Sequence, residues 1–149
     1  MNMDLPELKT SVMRAIDVLY ARDSHLFSCG AAEWAIAHRL AVYLEQEVPG
    51  WNVDCEYNRQ GPGTNPKTNE KDSKIRPDIV LHHRGRTALQ HNLLVIELKK
   101  TDSAANWEKA CEYTKAPKGT REFQYQYGLA LSVSDGLKLH WFKDGKEES

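Results

Sequence analysis

The stretch Asn92 to Lys100 reads Asn-Leu-Leu-Val-Ile-Glu-Leu-Lys-Lys, an apolar run that turns charged only at its end. In an extended strand alternate side chains share a face, which puts Glu97 and Lys99 together with Val95 and Leu93. A second run, Ile75-Arg76-Pro77-Asp78-Ile79-Val80-Leu81, carries one acid, Asp78. If the two runs pair in a hairpin folded near Ala88, Asp78 falls opposite Leu98, between Glu97 and Lys99. A third acid, Glu33, precedes Ile36, Ala37, Leu40 and Leu44. At about 100° per residue of helix, all four lie within about 60° of Glu33, so the carboxylate shares the stripe meant for the core. A carboxylate there is costly unless its charge is compensated. Clustered acids repel unless a cation sits among them, and hard oxygen ligands suit Mg²⁺ or Mn²⁺. A lysine beside such an ion can orient or deprotonate water and steady charge developing on a phosphate. These are parts for phosphodiester hydrolysis.

The elements that must position these groups are legible in outline. Leu5, Leu8, Val12, Ile16 and Leu19 predict an amphipathic helix over 5–22. Ser28 suggests the N-cap of a second helix over about 29–47, stopped by Pro49-Gly50. Trp51 to Tyr57 alternates as a strand, with Trp51, Val53, Cys55 and Tyr57 on one face. Residues 58–74 are turn formers and charges, a long mobile loop. Strands over 75–83 and 92–100 follow, then a helix over 103–116 capped by Asp102 or Ser103 and ended by Pro117-Lys118-Gly119. Two strands, 125–134 and 137–143, join through Asp135-Gly136, a strong hairpin signal. The charged tail 144–149 is expected to be flexible. No repeat appears. One domain over 1–149 follows, α/β in class, a single mixed sheet flanked by helices.

Four acid-x-Lys triplets occur: Glu7-Leu8-Lys9, Asp72-Ser73-Lys74, Glu97-Leu98-Lys99 and Asp144-Gly145-Lys146. Only the third ends an apolar strand with Pro77-Asp78 upstream across eighteen intervening residues and a glutamate on a preceding helix. In that conjunction the chain resembles the PD-(D/E)XK nuclease superfamily. The resemblance covers about 28–134 and implies a restriction-endonuclease-like core of order α-β-β-β-α-β, with the first helix as an addition. It implies that Asp78, Glu97 and the Leu98 carbonyl hold Mg²⁺ or Mn²⁺, that Lys99 positions or activates water, and that Glu33 binds a second ion or holds water on the first. The substrate implied is nucleic acid, DNA before RNA. With no room for a separate reading domain, specificity would come from substrate structure, a homodimer or a targeting protein partner.

Arg59, Lys67, Lys71, Lys74 and Arg76 outweigh Glu70 and Asp72 by three charges, so the loop leading into Asp78 could track a phosphate backbone. Trp107, Lys109 and Lys115 on the following helix are further candidates, Trp107 more naturally as core. Tyr125 and Tyr127 read as packing. Two rivals stand against the nuclease: a non-catalytic nucleic-acid-binding or assembly module on the same fold, and a buried charge network made of Glu33, Asp78, Glu97 and Lys99.

Composition excludes several other classes. Among 149 residues, 20 Lys and Arg against 21 Asp and Glu leave a net charge of −1, which argues against coating nucleic acid by bulk charge. Cys29, Cys55 and Cys111 make neither a disulfide framework nor a Cys-x-x-Cys site, as in a reducing cytosol. The six histidines show no zinc spacing: His82 and His83 point to opposite faces, His25 pairs only with Cys29, and His38 falls off the apolar stripe. No Gly-x-x-x-x-Gly-Lys or Gly-x-Ser-x-Gly occurs. No run is long and apolar enough for a membrane span, and the acidic start Met1 to Glu7 is unlike a secretory signal. A cytoplasmic protein is expected.

Overall fold

The computed structural model describes residues 2–134 and 136–149. Helix α1, Leu5–Arg22, starts where the Asp4 carboxylate accepts the Glu7 N–H at 2.9 Å and Pro6 occupies the first turn. Its stripe of Leu8, Val12, Ala15, Ile16 and Leu19 is fully buried. A short helix α2, Ser24–Ser28, follows, and α3 runs from Glu33 to Glu47. Ser28 therefore does not cap α3. Gly30 takes φ +69, a left-handed turn that ends the preceding helical stretch, and α3 restarts behind Ala32. Glu33 thus sits in the first turn of α3 rather than in its interior, half-buried at the end of the apolar stripe.

Strands β1 (Asn52–Cys55), β2 (Ile79–His82), β3 (Asn92–Lys99), β4 (Tyr127–Ser132), β5 (Lys138–Lys143) and β6 (Lys146–Glu148) form one sheet in that order. All pairs are antiparallel except β3 with β4, which are parallel. A parallel pair needs a crossover, and α4, Ala104–Glu112, supplies it, capped by Ser103 as expected. The protein is mixed α/β: a six-stranded mixed sheet with four helices among the described residues.

The two faces have separate cores. Ile79, Leu81, Leu94, Ile96, Leu98, Leu129 and Leu131 pack with α1 and α3. Val80 and Val95 meet Tyr113, Phe123 and Tyr125 on the other face, where Ala110 of α4 packs on Ala130 and Phe142. The sequence grouped Leu93 with Val95, but a bulge where His82 pairs with Asn92 returns Leu93 to the α1/α3 core. Cys55 at the end of β1 is exposed but keeps the Val53 face, its thiol 3.9 Å from the Ala37 carbonyl of α3, whereas Tyr57, expected on that face, packs with the other core.

Two irregular parts of the chain make more contacts than the sequence pattern shows. Residues 58–74 form no helix or strand, yet hydrogen bonds tie them to the rest of the chain. Gln60 donates to the Pro66 carbonyl at 2.7 Å and accepts the Glu122 N–H at 2.6 Å. The fully buried Arg121 guanidinium donates to the Lys115, Ala116 and Phe123 carbonyls and pairs with Glu70 at 3.3 Å. The tail is not a loose end: Asp144 and Gly145 at φ 51 and 74 make a two-residue turn, and β6 pairs back on β5. Asp-Gly favours such a turn, so the signal was present in the sequence. The expected turn at Asp135-Gly136 includes Asp135, which lies outside the described residues.

At Gly128 of β4 the end of α4 comes close to the sheet. A Cβ there would fall 2.3 Å from the Ala110 carbonyl oxygen and 3.0 Å from Thr114 Cγ2. Gly128→Ala is expected to cost about 1–3 kcal/mol by forcing α4 off the sheet, read as a lower urea midpoint.

Candidate active site

Asp78, Glu97 and Lys99 line one cleft of about 260 Å³ with Lys74, Ile75, Arg76 and Asn69 from the loop and Lys109, Glu112 and Tyr113 from α4 and its end. The placement follows from the topology. Ile79 pairs with Ile96, so Asp78, just before β2, falls level with Glu97, one residue from the expected Leu98 register. One Asp78 carboxylate oxygen accepts the Leu98 N–H at 2.7 Å, and the Asp78 N–H points to Glu97 Oε2 at 3.4 Å. Leu98 therefore already anchors Asp78 through its N–H. Glu97 lies on the α4 face, and Asn106 of α4 donates to its backbone carbonyl at 3.0 Å.

The electrostatics of the pair are unusual. Glu97 is 6% exposed. Burial first, and then the neighbouring Asp78 charge, push its carboxyl well above the usual range. Among the described residues neither Asp78 nor Glu97 has a Lys, Arg or His partner within 4.0 Å. The nearest ammonium on the strand, Lys99, pairs instead with Glu33 Oε1 at 3.7 Å, while Glu33 Oε2 accepts the Lys100 N–H at 2.7 Å. Glu33 thus reaches the cluster through Lys99 and the strand end. The charge-network alternative needs a cation paired with Glu97; Lys99 lines the same cleft but pairs with Glu33, and the Lys109 charge acts on Glu97 from α4 without an ion pair. Burial and the Glu97 charge also raise the Tyr113 phenol, which keeps its proton.

Among the described residues no three His, Cys, Asp or Glu side chains gather as a metal cage. Two uncompensated carboxylates nevertheless fit a hard divalent cation, since Mg²⁺ commonly takes one or two carboxylates and keeps several waters. The fit rests on the donor chemistry and on the missing positive partner at a buried acid.

The loop cations divide. Lys74 and Arg76 are exposed at the cleft. Lys67 is buried, its ammonium donating to the Arg59 carbonyl beneath the Tyr57 ring, and desolvation lowers its pKa to about 8. Arg59 and Lys67 border a separate small cavity with Gln60 and His82, and Lys71 is exposed outside the cleft. On α4, Lys109 joins the cleft, whereas the Trp107 indole donates to Asp102 at 2.6 Å and lies tilted against the His140 ring. Tyr125 and Tyr127 are buried, as expected. Sequence reasoning passed over Glu112 and Tyr113. Their spacing of three and four from Lys109 places all three on one helix face, the signal that could have found them. It also passed over Trp34, 72% exposed beside Glu33.

No protein-family model, no curated protein and no solved structure matches the chain.

The cleft predicts how stability responds to pH without metal. Glu97's folded pKa is raised above the unfolded one, so its favourable contribution is complete below the ordinary value of 4.5 and is lost as pH rises. Glu97→Gln, which mimics the protonated form, should melt higher than the wild type in EDTA at neutral pH, the gap closing toward pH 4.5. A charge network requiring Glu97 predicts the reverse, a loss of about 3–5 kcal/mol.

Proposed function

We propose that the chain is a divalent-cation-dependent nuclease hydrolysing phosphodiester bonds, in DNA before RNA, on a restriction-endonuclease-like core made by α3, β1, β2, β3, α4 and β4. The observation that carries this reading is the Asp78–Glu97 pair, buried on one side, without a cationic partner among the described residues, and open on the other to a cleft rimmed by Lys74, Arg76, Lys99 and Lys109.

Asp78 and Glu97, with the Leu98 carbonyl beside them, would hold Mg²⁺ or Mn²⁺. The bound ion supplies Lewis acidity and a water of lowered pKa. Leu98 keeps the Asp78 carboxylate in place through its N–H. Lys99 orients the attacking water and offsets the negative charge that grows on the phosphate as one P–O bond forms and the bond to the leaving sugar oxygen breaks. Glu33, at 3.7 Å, restrains the half-exposed Lys99 side chain. Lys74, Arg76 and Lys109 engage the flanking phosphates, which sets the register without reading sequence.

Purified protein incubated with supercoiled, linear, single-stranded and branched DNA and with RNA, in Mg²⁺, Mn²⁺ or EDTA, tests the reading. Cleavage is expected only with metal, and Lys99→Ala should lower it about 10²–10⁴-fold. Binding that ignores both metal and Lys99, with no cleavage, would support the non-catalytic module instead.

The division of the loop cations gives a separate test. Lys74→Ala with Arg76→Ala should weaken binding and reduce the log–log salt slope by about 2. Lys67→Met should leave that slope unchanged and melt at the same temperature or higher, because its buried ammonium is desolvated.

A further inference from the structure

Behind Asp78 lies a second cavity, of about 340 Å³, bordered by Trp34, Ala37, His38, Cys55, Glu56 and Asp78. Its size falls in the ~300–1,000 Å³ range of small-ligand sites. Trp34 is 72% exposed, and an indole that gives so much apolar surface to water on the first turn of a helix serves no core. The cavity is coupled to the cleft through Asp78, which borders both, and the Glu56 N–H donates to the Asp78 carbonyl at 3.2 Å.

The two sides of Asp78 differ in their cations. The cleft side sets Lys74, Arg76, Lys99 and Lys109 against Asp78, Glu97 and Glu112. The Trp34 side carries Glu56 and Asp78 beside an aromatic face, and among the described residues its one basic side chain is His38. Among the described residues no lysine or arginine lines this side, so it offers a phosphate no such cation, while a flat, uncharged ring with polar edges fits it. We propose that this cavity is a nucleobase subsite: Trp34 stacks an unpaired base of the nucleotide next to the phosphate held in the cleft. The proposal rests on the nuclease reading and deepens it, because it names the substrate class. A base inside a duplex has both faces covered and cannot offer one to Trp34, so the substrate is single-stranded or locally unpaired nucleic acid. Glu56 and His38 are placed to meet the edge of the stacked base.

The test is a cleavage map on single-stranded DNA carrying one abasic position, run with the wild type, Trp34→Ala and Trp34→Phe in Mg²⁺ and Mn²⁺. Wild-type cleavage at the phosphate adjoining the abasic position should fall about 10- to 100-fold below that at the other phosphates. Trp34→Ala should cut all positions more slowly by a similar factor and lose the dip, with the loss in KM. Trp34→Phe should restore the dip. Melting curves should match the wild type, since the side chain is exposed, and would expose any misfolded variant. Metal-dependent cleavage with a flat abasic profile, or with duplex cut as fast as single strand, would overturn the subsite and leave the nuclease standing. Absence of any metal-dependent cleavage would overturn both.

Discussion

An acid buried on the central strand constrains the rest of this structure. β3 is paired on both sides, antiparallel to β2 and parallel to β4, so its backbone is satisfied and its side chains are enclosed. Glu97 is carried into that enclosure with no ion partner among the described residues. On the β2 side the ladder stops just before it, at Ile79 opposite Ile96, while β4 stays paired out to Lys99. Asp78 enters at the neighbouring strand's start, and the Leu98 N–H binds it. The parallel pairing of β3 with β4 obliges the chain to cross over the sheet, and the crossover is α4. That single topological requirement brings Asn106 onto the Glu97 carbonyl and lays Lys109, Glu112 and Tyr113 over the carboxyl group. The cleft is a consequence of how the sheet is wound.

The opposite face contributes through the strand's last residues. α3 packs with α1 on the Ile96–Leu98 side, where Glu97 does not point. Its first residue reaches round the end of β3 instead, accepting the Lys100 N–H and pairing with Lys99. Gly30 makes this possible by breaking the helix before Glu33, so that the carboxylate stands at a helix start, where the macrodipole favours an acid.

Much of this was legible. Hydrophobic period placed α1, the core of α3, β3 and α4, because each buries one face or all of its length. The residues Glu97, Lys99 and Asp78 were legible as a group because charge at the end of an apolar strand is a local contradiction. What was not legible depends on backbone geometry that hydrophobic pattern does not encode. The Asp78 register slipped by one residue, since hairpin midpoints say nothing of the 3₁₀ turn at Leu89–His91 or the bulge before it. The loop looked free because its fastener, Arg121, lies more than forty residues away and reads as a surface charge. Trp34 was invisible because an exposed and a buried indole look alike at helical spacing.

The loop shows how far counting charges misjudges a field. Its excess of three cations is not a coat. Lys67 is spent inside, under Tyr57 and beside Phe123, where burial lowers its proton affinity. Arg121, outside the loop, neutralises Glu70. What reaches the cleft is Lys74 and Arg76, joined there by Lys99 and Lys109 and opposed by Asp78, Glu97 and Glu112. Four cations against three carboxylates are almost balanced, so without metal the cleft has little pull on a phosphate chain. In the proposed function a divalent ion between Asp78 and Glu97 tips that balance strongly positive, and a bound phosphate favours the ion by the same amount. Metal and substrate are then linked by one coupling free energy. The near-neutral net charge of the chain is consistent with this: attraction is generated locally, at the acids, when the ion arrives.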